Sequence, residues 1–235
     1  GAICRGAKTT GTANTAAAHW MEESRDGMNK RIIWLVVMPV ILFAMLAVCI
    51  YAGITIRFEG WFYGEAVENM SPVLTAMMKV ITHLGDPITV IVFCLSLFLA
   101  PKTRRTIALP TSAVVIMSGV FNVLLKQIFA RGRPNVLRLI SETGYSFPSG
   151  HAMINASLYV MLILMIIRYL GSFSRKLFLS SLCIALAGLI GFSRVYLGVH
   201  YASDVLGGWL FGAAISLLVY SLWNGRQAKI KNSDF

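Results

Sequence analysis

The sequence predicts an all-α integral membrane protein, a bundle of six transmembrane helices. Two observations carry the fold prediction. Of the 235 residues, 57% are apolar and only 13% are charged, which is far from the composition of a soluble domain of this length. The apolar residues are also gathered into separate runs, as expected for helices that cross a hydrocarbon core about 30 Å thick.

Six apolar runs supply the predicted spans. The first, 32–56, is uncharged and is about long enough to cross the bilayer at ~1.5 Å per residue. No cleavable signal peptide precedes this run, so we expect it to stay in the membrane. The other runs cover residues 87–100, 107–125, 151–167, 177–192 and 205–223. Several of these are short for a span.

The segments around the spans are more polar. Residues 57–70, RFEGWFYGEAVENM, carry interfacial aromatic and charged side chains, and residues 71–85 predict an amphipathic helix. Asp86 and Pro87 then resemble an N-cap followed by proline at the first helical position. Residues 1–30 are predicted to be a polar tail, either native or added for expression, residues 31–225 the membrane domain, and residues 226–235 a basic cytoplasmic tail.

Basic residues predict the orientation of the bundle. Four span ends on one side carry Lys30, Arg31, Lys102, Arg104, Arg105, Arg168, Arg175, Lys176, Arg226, Lys229 and Lys231. By the positive-inside rule that side is cytoplasmic, with both termini there. Five basic residues lie on the opposite side, against the rule: Lys126, Arg131, Arg133, Arg138 and Arg194. Since the positive-inside rule does not explain these five residues, we expect them to have a functional role.

Composition also excludes some partners. The formal net charge is +11, but no basic stripe interleaved with aromatic residues is present, so nucleic-acid binding is not predicted. The four cysteines form no CxxC and no Cys/His ligand spacing, which indicates neither a disulfide framework nor a zinc site. No cofactor and no obligate protein partner is indicated.

Three polar stretches stand at the predicted outer ends of spans: KQIFARGRP (126–134), PSGH (148–151) and SRVYLGVHYASD (193–204). Lys126 and Arg133 are seven residues apart, so they share a face if the helix continues to Pro134. Ser149 can cap the following helix, whose N-terminal N–H groups favour an anion.

The third stretch adds a candidate nucleophile. His200 and Asp204 are four residues apart, so the carboxylate can accept from one ring nitrogen and leave the other free. Arg194 reaches the same place if the chain turns at Gly198. Three cations, a helix N-terminus, two histidines and one carboxylate suit a phosphoryl group, with one neutral histidine attacking and the other donating a proton. No cluster of carboxylates suited to Mg²⁺ accompanies them, so no metal is predicted.

The order K-x6-RP, PSGH and SR-x5-H-x3-D resembles the three signature motifs of the type 2 phosphatidic acid phosphatase (PAP2) superfamily. The resemblance covers residues 32–223 and implies a six-helix membrane phosphatase, with its active site at the outer membrane-water interface where the three motifs lie. It implies His200 as nucleophile, Asp204 as its orienting group and His151 as general acid. It implies a phosphate-binding role for Lys126, Arg133, Ser149, Gly150 and Arg194. The short, uncapped stretch from Pro134 to Pro148 is similar to bacterial members that act on phosphatidylglycerophosphate or undecaprenyl diphosphate.

Other functions stay open at this point. The soluble vanadium haloperoxidases resemble the same anion pocket, but six apolar spans argue against them. A transporter should carry ionisable residues at mid-span, whereas the charges here lie at the ends. Transfer of the phosphoryl group to another lipid instead of water is compatible with the motifs.

Several further residues have local interpretations. His83 has only Asp86 as a partner at helical spacing, which favours a role outside the site. Arg131, Arg138 and Glu142 are candidates for headgroup contact at the rim or for a solvated loop. Gly208 and Gly212 have GxxxG spacing, which predicts close packing within the bundle.

Overall fold

The computed structural model describes the backbone of residues 34–233 and the side chains of residues 34–225. Its regular structure is helical, as predicted. The helices are α1 (Trp34–Tyr51), α2 (Ile56–Glu68), α3 (Pro72–Leu84), α4 (Pro87–Ser96), α5 (Leu109–Phe129), α6 (Gly150–Tyr169), α7 (Phe173–Tyr196) and α8 (Ala202–Ser233). Short 3₁₀ turns and a π-helical turn, Arg104–Ala108, connect α4 to α5. The predicted tail 1–30 lies outside the described residues.

Five of the described helices are long and apolar enough to cross a membrane, and a sixth span is counted if α3 and α4 act as one bent unit. The axes of α3 and α4 differ by 50° across the break at Gly85 and Asp86. A separate second span over 87–100 is therefore wrong, since α4 ends after ten residues. The first span is also shorter than predicted, because α1 ends at Tyr51 before a turn in which Gly53 has φ +73°.

The bundle is organised around α6, which packs against α5, α7 and α8. Close approach to α8 depends on the two glycines with GxxxG spacing, as predicted. A Cβ at Gly208 would lie 2.8 Å from the Ser149 carbonyl oxygen, and one at Gly212 would lie 2.3 Å from that of Met153. Side chains at these positions would push the two helices apart.

Hydroxyl groups connect the same helices inside the bundle. Ser118 of α5 hydrogen bonds to Ser157 of α6 at 2.7 Å, and the Ser157 hydroxyl donates to the Gly212 carbonyl of α8 at 3.1 Å. Ser216 of α8 donates back to the Ser157 carbonyl at 2.6 Å. These contacts satisfy buried polar atoms across three helices and fix their register.

The predicted cytoplasmic tail 226–235 continues α8 in its backbone as far as Ser233, and its side chains lie outside the described residues. The opposite end of the bundle, where α5 and α7 end and α6 and α8 begin, is called the motif end below. Large apolar side chains on the outer faces of the helices are exposed, among them Ile116, Val120 and Ile128 of α5. The protein is a multi-pass membrane protein, and these side chains face lipid.

Candidate active site

A cavity of about 440 Å³ opens at the motif end of the bundle. Six of the predicted site residues line it: Lys126, Arg133, Gly150, His151, Arg194 and His200. The three sequence motifs therefore meet at one place, although 74 residues separate the first of these residues from the last. The other two predicted residues, Ser149 and Asp204, are fully buried behind the cavity wall.

The first motif reaches the cavity by a different route from the one predicted. Helix α5 ends at Phe129, and Ala130 takes a left-handed conformation with φ 44°. Lys126 thus projects from the last turn of the helix, whereas Arg133 lies in the loop that follows. The helix does not continue to Pro134, so the two cations do not share a helical face, but the turn at Ala130 still brings both of them to the cavity.

The second motif forms the N-terminus of α6. Ser149 is the N-cap, and its hydroxyl accepts a long hydrogen bond of 3.5 Å from the amide of Ala152. The Ser149 amide donates to the Asp204 carbonyl at 3.0 Å, which joins the second motif to the third. Gly150 lines the cavity with its backbone, and a Cβ there would lie 3.0 Å from Oδ1 of Asn122. The helix N-terminus therefore faces the cavity without an intervening side chain at this position.

A tight turn connects Arg194 to His200 in the third motif. Gly198 has φ +71°, and a Cβ at this position would lie 2.2 Å from the Leu137 carbonyl oxygen. The amides of Val199 and His200 both donate to the Arg194 carbonyl, at 3.2 and 3.3 Å. The predicted turn at Gly198 is thus present, and glycine is required there for both conformation and space.

Arg194 is a buried cation, with only 1% of its surface exposed. One guanidinium nitrogen donates to the hydroxyl of Thr82 at 2.8 Å, and another hydrogen bonds to Glu142. Its Nε has no hydrogen-bond partner. A buried guanidinium with an unused donor is costly unless an anion completes its contacts.

His200 is 3% exposed and lies between two charged groups. Its Nδ1 is 3.4 Å from Oδ2 of Asp204, and its Nε2 is 3.3 Å from Nη1 of Arg133. Burial lowers the pKa of His200 to about 4, although the hydrogen bond and charge of Asp204 act in the opposite direction. The ring is therefore neutral at neutral pH, with Nε2 on the side of the cations.

The Asp204 carboxylate is held by more groups than the sequence indicated. Its Oδ2 accepts from the Ser146 hydroxyl and from the amide of Tyr201 at 2.9 Å. Its Oδ1 accepts from Nη1 of Arg131 at 2.6 Å. These contacts fix the carboxylate so that it can orient the His200 ring.

Arg131 is not a residue of the rim. Its guanidinium bonds to both carboxylate oxygens of Glu59 at 2.8 and 2.9 Å and stacks 4.1 Å from the centroid of the Tyr201 ring. Arg131 thus links the buried Glu59 of α2 to Asp204. Burial alone would lower the pKa of Arg131, but the charges of Asp204 and Glu59 raise it instead.

One loop segment, Glu142 to Tyr145, provides at least one hydrogen-bond acceptor for each of the three cavity cations. Lys126 donates to the Tyr145 carbonyl, and Arg133 donates to the carbonyls of Thr143 and Gly144 at 2.8 and 3.0 Å. Glu142 pairs with Arg194 and lies 3.7 Å from Arg133. Burial favours a higher pKa for Glu142, but the charge and hydrogen bond of Arg194 outweigh it and hold the pKa below its ordinary value. Glu142 is therefore an ionised partner of the site and not a solvated loop residue, whereas Arg138 donates only to the Pro134 carbonyl of its own loop.

His151 has an acidic partner that the sequence did not predict. Its Nε2 lies 2.8 Å from Oδ1 of Asp86, in the break between α3 and α4. Oδ2 of the same carboxylate lies 2.7 Å from Nδ1 of His83. Asp86 occupies the N-cap position of α4, as predicted, but its side chain makes no capping hydrogen bond there.

The fold and the cavity define a membrane-embedded enzyme with a site for an anion, and comparison with known proteins identifies its family. The PAP2 superfamily model matches residues 107–228. Phosphatidylglycerophosphatase B of Bacillus subtilis is 33% identical over 197 residues, which cover 81% of this chain and 94% of that protein. The chain therefore belongs to the PAP2 superfamily, and it is a phosphatase of this class.

Two further comparisons agree with this assignment. The crystal structure of the transmembrane PAP2-type phosphatidylglycerolphosphate phosphatase from Bacillus subtilis superposes with a TM-score of 0.72 at 30% identity, covering 80% of this chain and 96% of that one. An undecaprenyl-diphosphatase of Sulfolobus acidocaldarius is 26% identical over 81% of this chain and 91% of its own. The prediction of a PAP2-type membrane fold is confirmed.

Proposed function

We propose that the protein hydrolyses a phosphomonoester or diphosphate of a membrane lipid, with undecaprenyl diphosphate and phosphatidylglycerophosphate as the preferred candidates. The observation that carries the proposal is the cavity at the motif end, which is lined by three cations and two histidines. The names of the Bacillus and Sulfolobus relatives support the choice of substrates. Residues 31–225 form the catalytic unit in this proposal.

Phosphate binding uses Lys126, Arg133 and Arg194 together with the N-terminus of α6. The three cations neutralise the oxygens of the phosphoryl group, and the amide at Gly150 adds a dipole at the same place. Ser149 contributes by capping the helix, since its hydroxyl is buried at the cap. The oxygens of the phosphoryl group replace residues 142–145 as hydrogen-bond acceptors for the three cations. They also supply the acceptor that Nε of Arg194 lacks.

Nucleophilic attack is assigned to Nε2 of His200. Asp204 lies beside Nδ1, so it holds the proton on that nitrogen and leaves the lone pair of Nε2 directed toward the cations. A bond forms from Nε2 to phosphorus as the bond to the leaving oxygen breaks, and His151 donates a proton to that oxygen. Water then attacks the phosphohistidine with His151 as base, which releases phosphate. Apart from this water and the substrate, every group in these steps belongs to the chain, and the proposed steps need no metal ion.

The proposed topology has both termini in the cytoplasm and the motif end outside. The basic residues that the structure describes at the other end of the bundle support it: Lys102, Arg104 and Arg105 between α4 and α5, and Arg168, Arg175 and Lys176 around the turn from α6 to α7. Right-side-out vesicles should therefore hydrolyse an impermeant short-chain lipid phosphate added externally. Activity that appears only after permeabilisation would contradict this topology.

A substrate panel tests the proposed function. Phosphate release in detergent should be fastest with undecaprenyl diphosphate or phosphatidylglycerophosphate, slower with phosphatidate, and slowest with a short soluble phosphate. EDTA should leave most of the activity, whereas vanadate should inhibit because its trigonal bipyramidal form resembles the transition state. A preference for sugar phosphates over both lipids, or a Mg²⁺ requirement with a soluble substrate, would overturn the proposal.

A further inference from the structure

The carboxylate of Asp86 is shared between two histidines of different exposure. One oxygen contacts Nε2 of His151 at 2.8 Å, and the other contacts Nδ1 of His83 at 2.7 Å. His151 lines the catalytic cavity, whereas the side chain of His83 is 73% exposed. The three side chains therefore form a continuous path from the cavity to solvent, and the signature motifs contain only one of them.

The surrounding packing holds Asp86 in this position. A Cβ at Gly85 would lie 2.5 Å from Cγ2 of Ile190 and 3.2 Å from Cδ2 of His151, so the break between α3 and α4 touches the imidazole ring. The side-chain amide of Asn155 donates both to the Gly85 carbonyl, at 3.0 Å, and to the His151 carbonyl, at 2.9 Å. These contacts hold the break between α3 and α4 against the first turn of α6.

The hydrogen-bond pattern fixes the tautomer of His151. An ionised carboxylate is only an acceptor, so Nε2 of His151 must carry the hydrogen that points at Asp86. The nitrogen left for proton transfer is then Nδ1. Asp86 occupies the N-cap position of α4 but makes no capping hydrogen bond there. Its carboxylate contacts His151 instead.

We propose that Asp86 is a positioning residue for His151, which holds the ring in the Nε2–H tautomer and stabilises its protonated form. The inference rests on the proposed function, in which His151 is the general acid. When the bond from phosphorus to the leaving oxygen breaks, the proton on Nδ1 passes to that oxygen, and the ring becomes neutral with Nε2–H still on Asp86. In the second half, Nδ1 takes a proton from water as its oxygen bonds to phosphorus and the bond to His200 breaks.

His83 has a supporting part in this arrangement. Its contact fixes the second oxygen of Asp86, and its own carbonyl accepts from the Thr89 hydroxyl at 2.8 Å across the break. Because His83 does not touch the acid itself, its loss should matter less than the loss of the carboxylate. A purely structural role for Asp86 predicts a different result, namely an equal loss for every substrate.

The test compares two leaving groups in Asp86→Asn, which keeps the shape of the side chain and removes its charge. For a short-chain phosphatidylglycerophosphate, whose alkoxide leaving group needs a proton, kcat should fall by about tenfold to hundredfold with little change in KM. For p-nitrophenyl phosphate, whose phenolate needs little protonation, kcat/KM should stay within about threefold, because kcat/KM reports only the first step, in which the phenolate leaves. His83→Asn should lower alkyl phosphate turnover by no more than about fivefold. Glu68→Gln, which removes an exposed carboxylate at the end of α2, is the matched control and should change neither rate.

A double variant separates this inference from the proposed function. Asp86→Asn combined with His151→Ala should be no slower than His151→Ala alone, because both changes remove the same step. If His151→Ala itself shows no dependence on the leaving group, the proposed acid is wrong. If His151→Ala shows that dependence but Asp86→Asn lowers kcat/KM equally for both substrates, or the two losses multiply, only the role of Asp86 is overturned. Asp86→Glu retains the charge and should recover part of the alkyl phosphate rate, and a failure to exceed Asp86→Asn would also count against the inference.

Discussion

The two histidines of the cavity have opposite surroundings. His200 and its partner Asp204 are 3% and 0% exposed, and Arg131 and Glu59 close the network behind them. The partner of His151, Asp86, has a side chain that is 35% exposed and continues to the solvent-exposed His83. A buried, neutral ring with a fixed carboxylate suits attack on phosphorus, whereas a ring connected toward water suits proton transfer. The difference between the two surroundings thus supports different roles for two residues of the same type.

Comparing substrates that differ in their leaving group should distinguish the roles of the two histidines most clearly. His200→Ala should lower kcat by about 10³-fold or more for both an alkyl phosphate and p-nitrophenyl phosphate, because the nucleophile is lost. His151→Ala should lower it about 100-fold for the alkyl phosphate and much less for p-nitrophenyl phosphate under conditions in which the first step limits the rate. Burst kinetics with p-nitrophenyl phosphate identify that step. Equal losses for both substrates in His151→Ala would remove the distinction between the two histidines.

The buried network behind His200 depends on Arg131, which pairs with both Glu59 and Asp204. Arg131→Met leaves the carboxylates of Glu59 and Asp204 without a countercharge, which should cost about 3–5 kcal/mol of stability. The thermal unfolding midpoint in detergent should fall accordingly, and phosphatase activity should fall with it. Arg57→Gln, an exposed cation of α2, is the control and should leave the midpoint unchanged.

A second change tests the reason for that loss. Glu59→Gln added to Arg131→Met removes one of the two unpaired charges, so part of the lost stability should return. A midpoint for Arg131→Met equal to that of Arg57→Gln would show that Arg131 does not hold the two carboxylates together.

A smaller effect is expected from the titration of His200. Its pKa of about 4 in the folded protein lies below the ordinary value of about 6.5, so the unfolded chain binds a proton between these pH values that the folded chain does not. The free energy of unfolding therefore decreases as the pH falls from about 6.5 to about 4, by an amount on the order of 3 kcal/mol over the whole window.

His200→Asn removes this titration. Between pH 7 and pH 5, the unfolding midpoint of the unmodified protein should fall more than that of His200→Asn. Parallel midpoints over this range would show that the ring is not held neutral by burial.

The sequence predicts the parts of the site that are encoded locally. The signature motifs, the turn at Gly198 and the close packing at Gly208 and Gly212 follow from residue type and spacing, and the structure contains them. The sequence left open whether α5 continues to Pro134, and the structure ends the helix at Phe129 because Ala130 takes a left-handed conformation before Arg133.

The contacts behind the histidines depend on pairs that are distant in sequence. Glu59 and Arg131 are 72 positions apart, and Asp86 and His151 are 65 apart. The available signals were weak: an acidic residue within an aromatic interfacial segment, and a capping residue in a helix break. Hydrophobic periodicity and motif spacing carry no information about such pairs, so neither carboxylate could be assigned before the helices were placed.

Detection of the covalent intermediate tests the assignment of His200 most directly. Enzyme quenched during turnover of a substrate labelled in its phosphate should carry label that survives denaturation and alkali but is lost in acid, as expected for a phosphoramidate. With p-nitrophenyl phosphate, His151→Ala should keep this label or accumulate more of it, because it lacks the base for the second step. His200→Ala should carry none. Label that persists in His200→Ala, or its absence from both the unmodified enzyme and His151→Ala, would contradict the account.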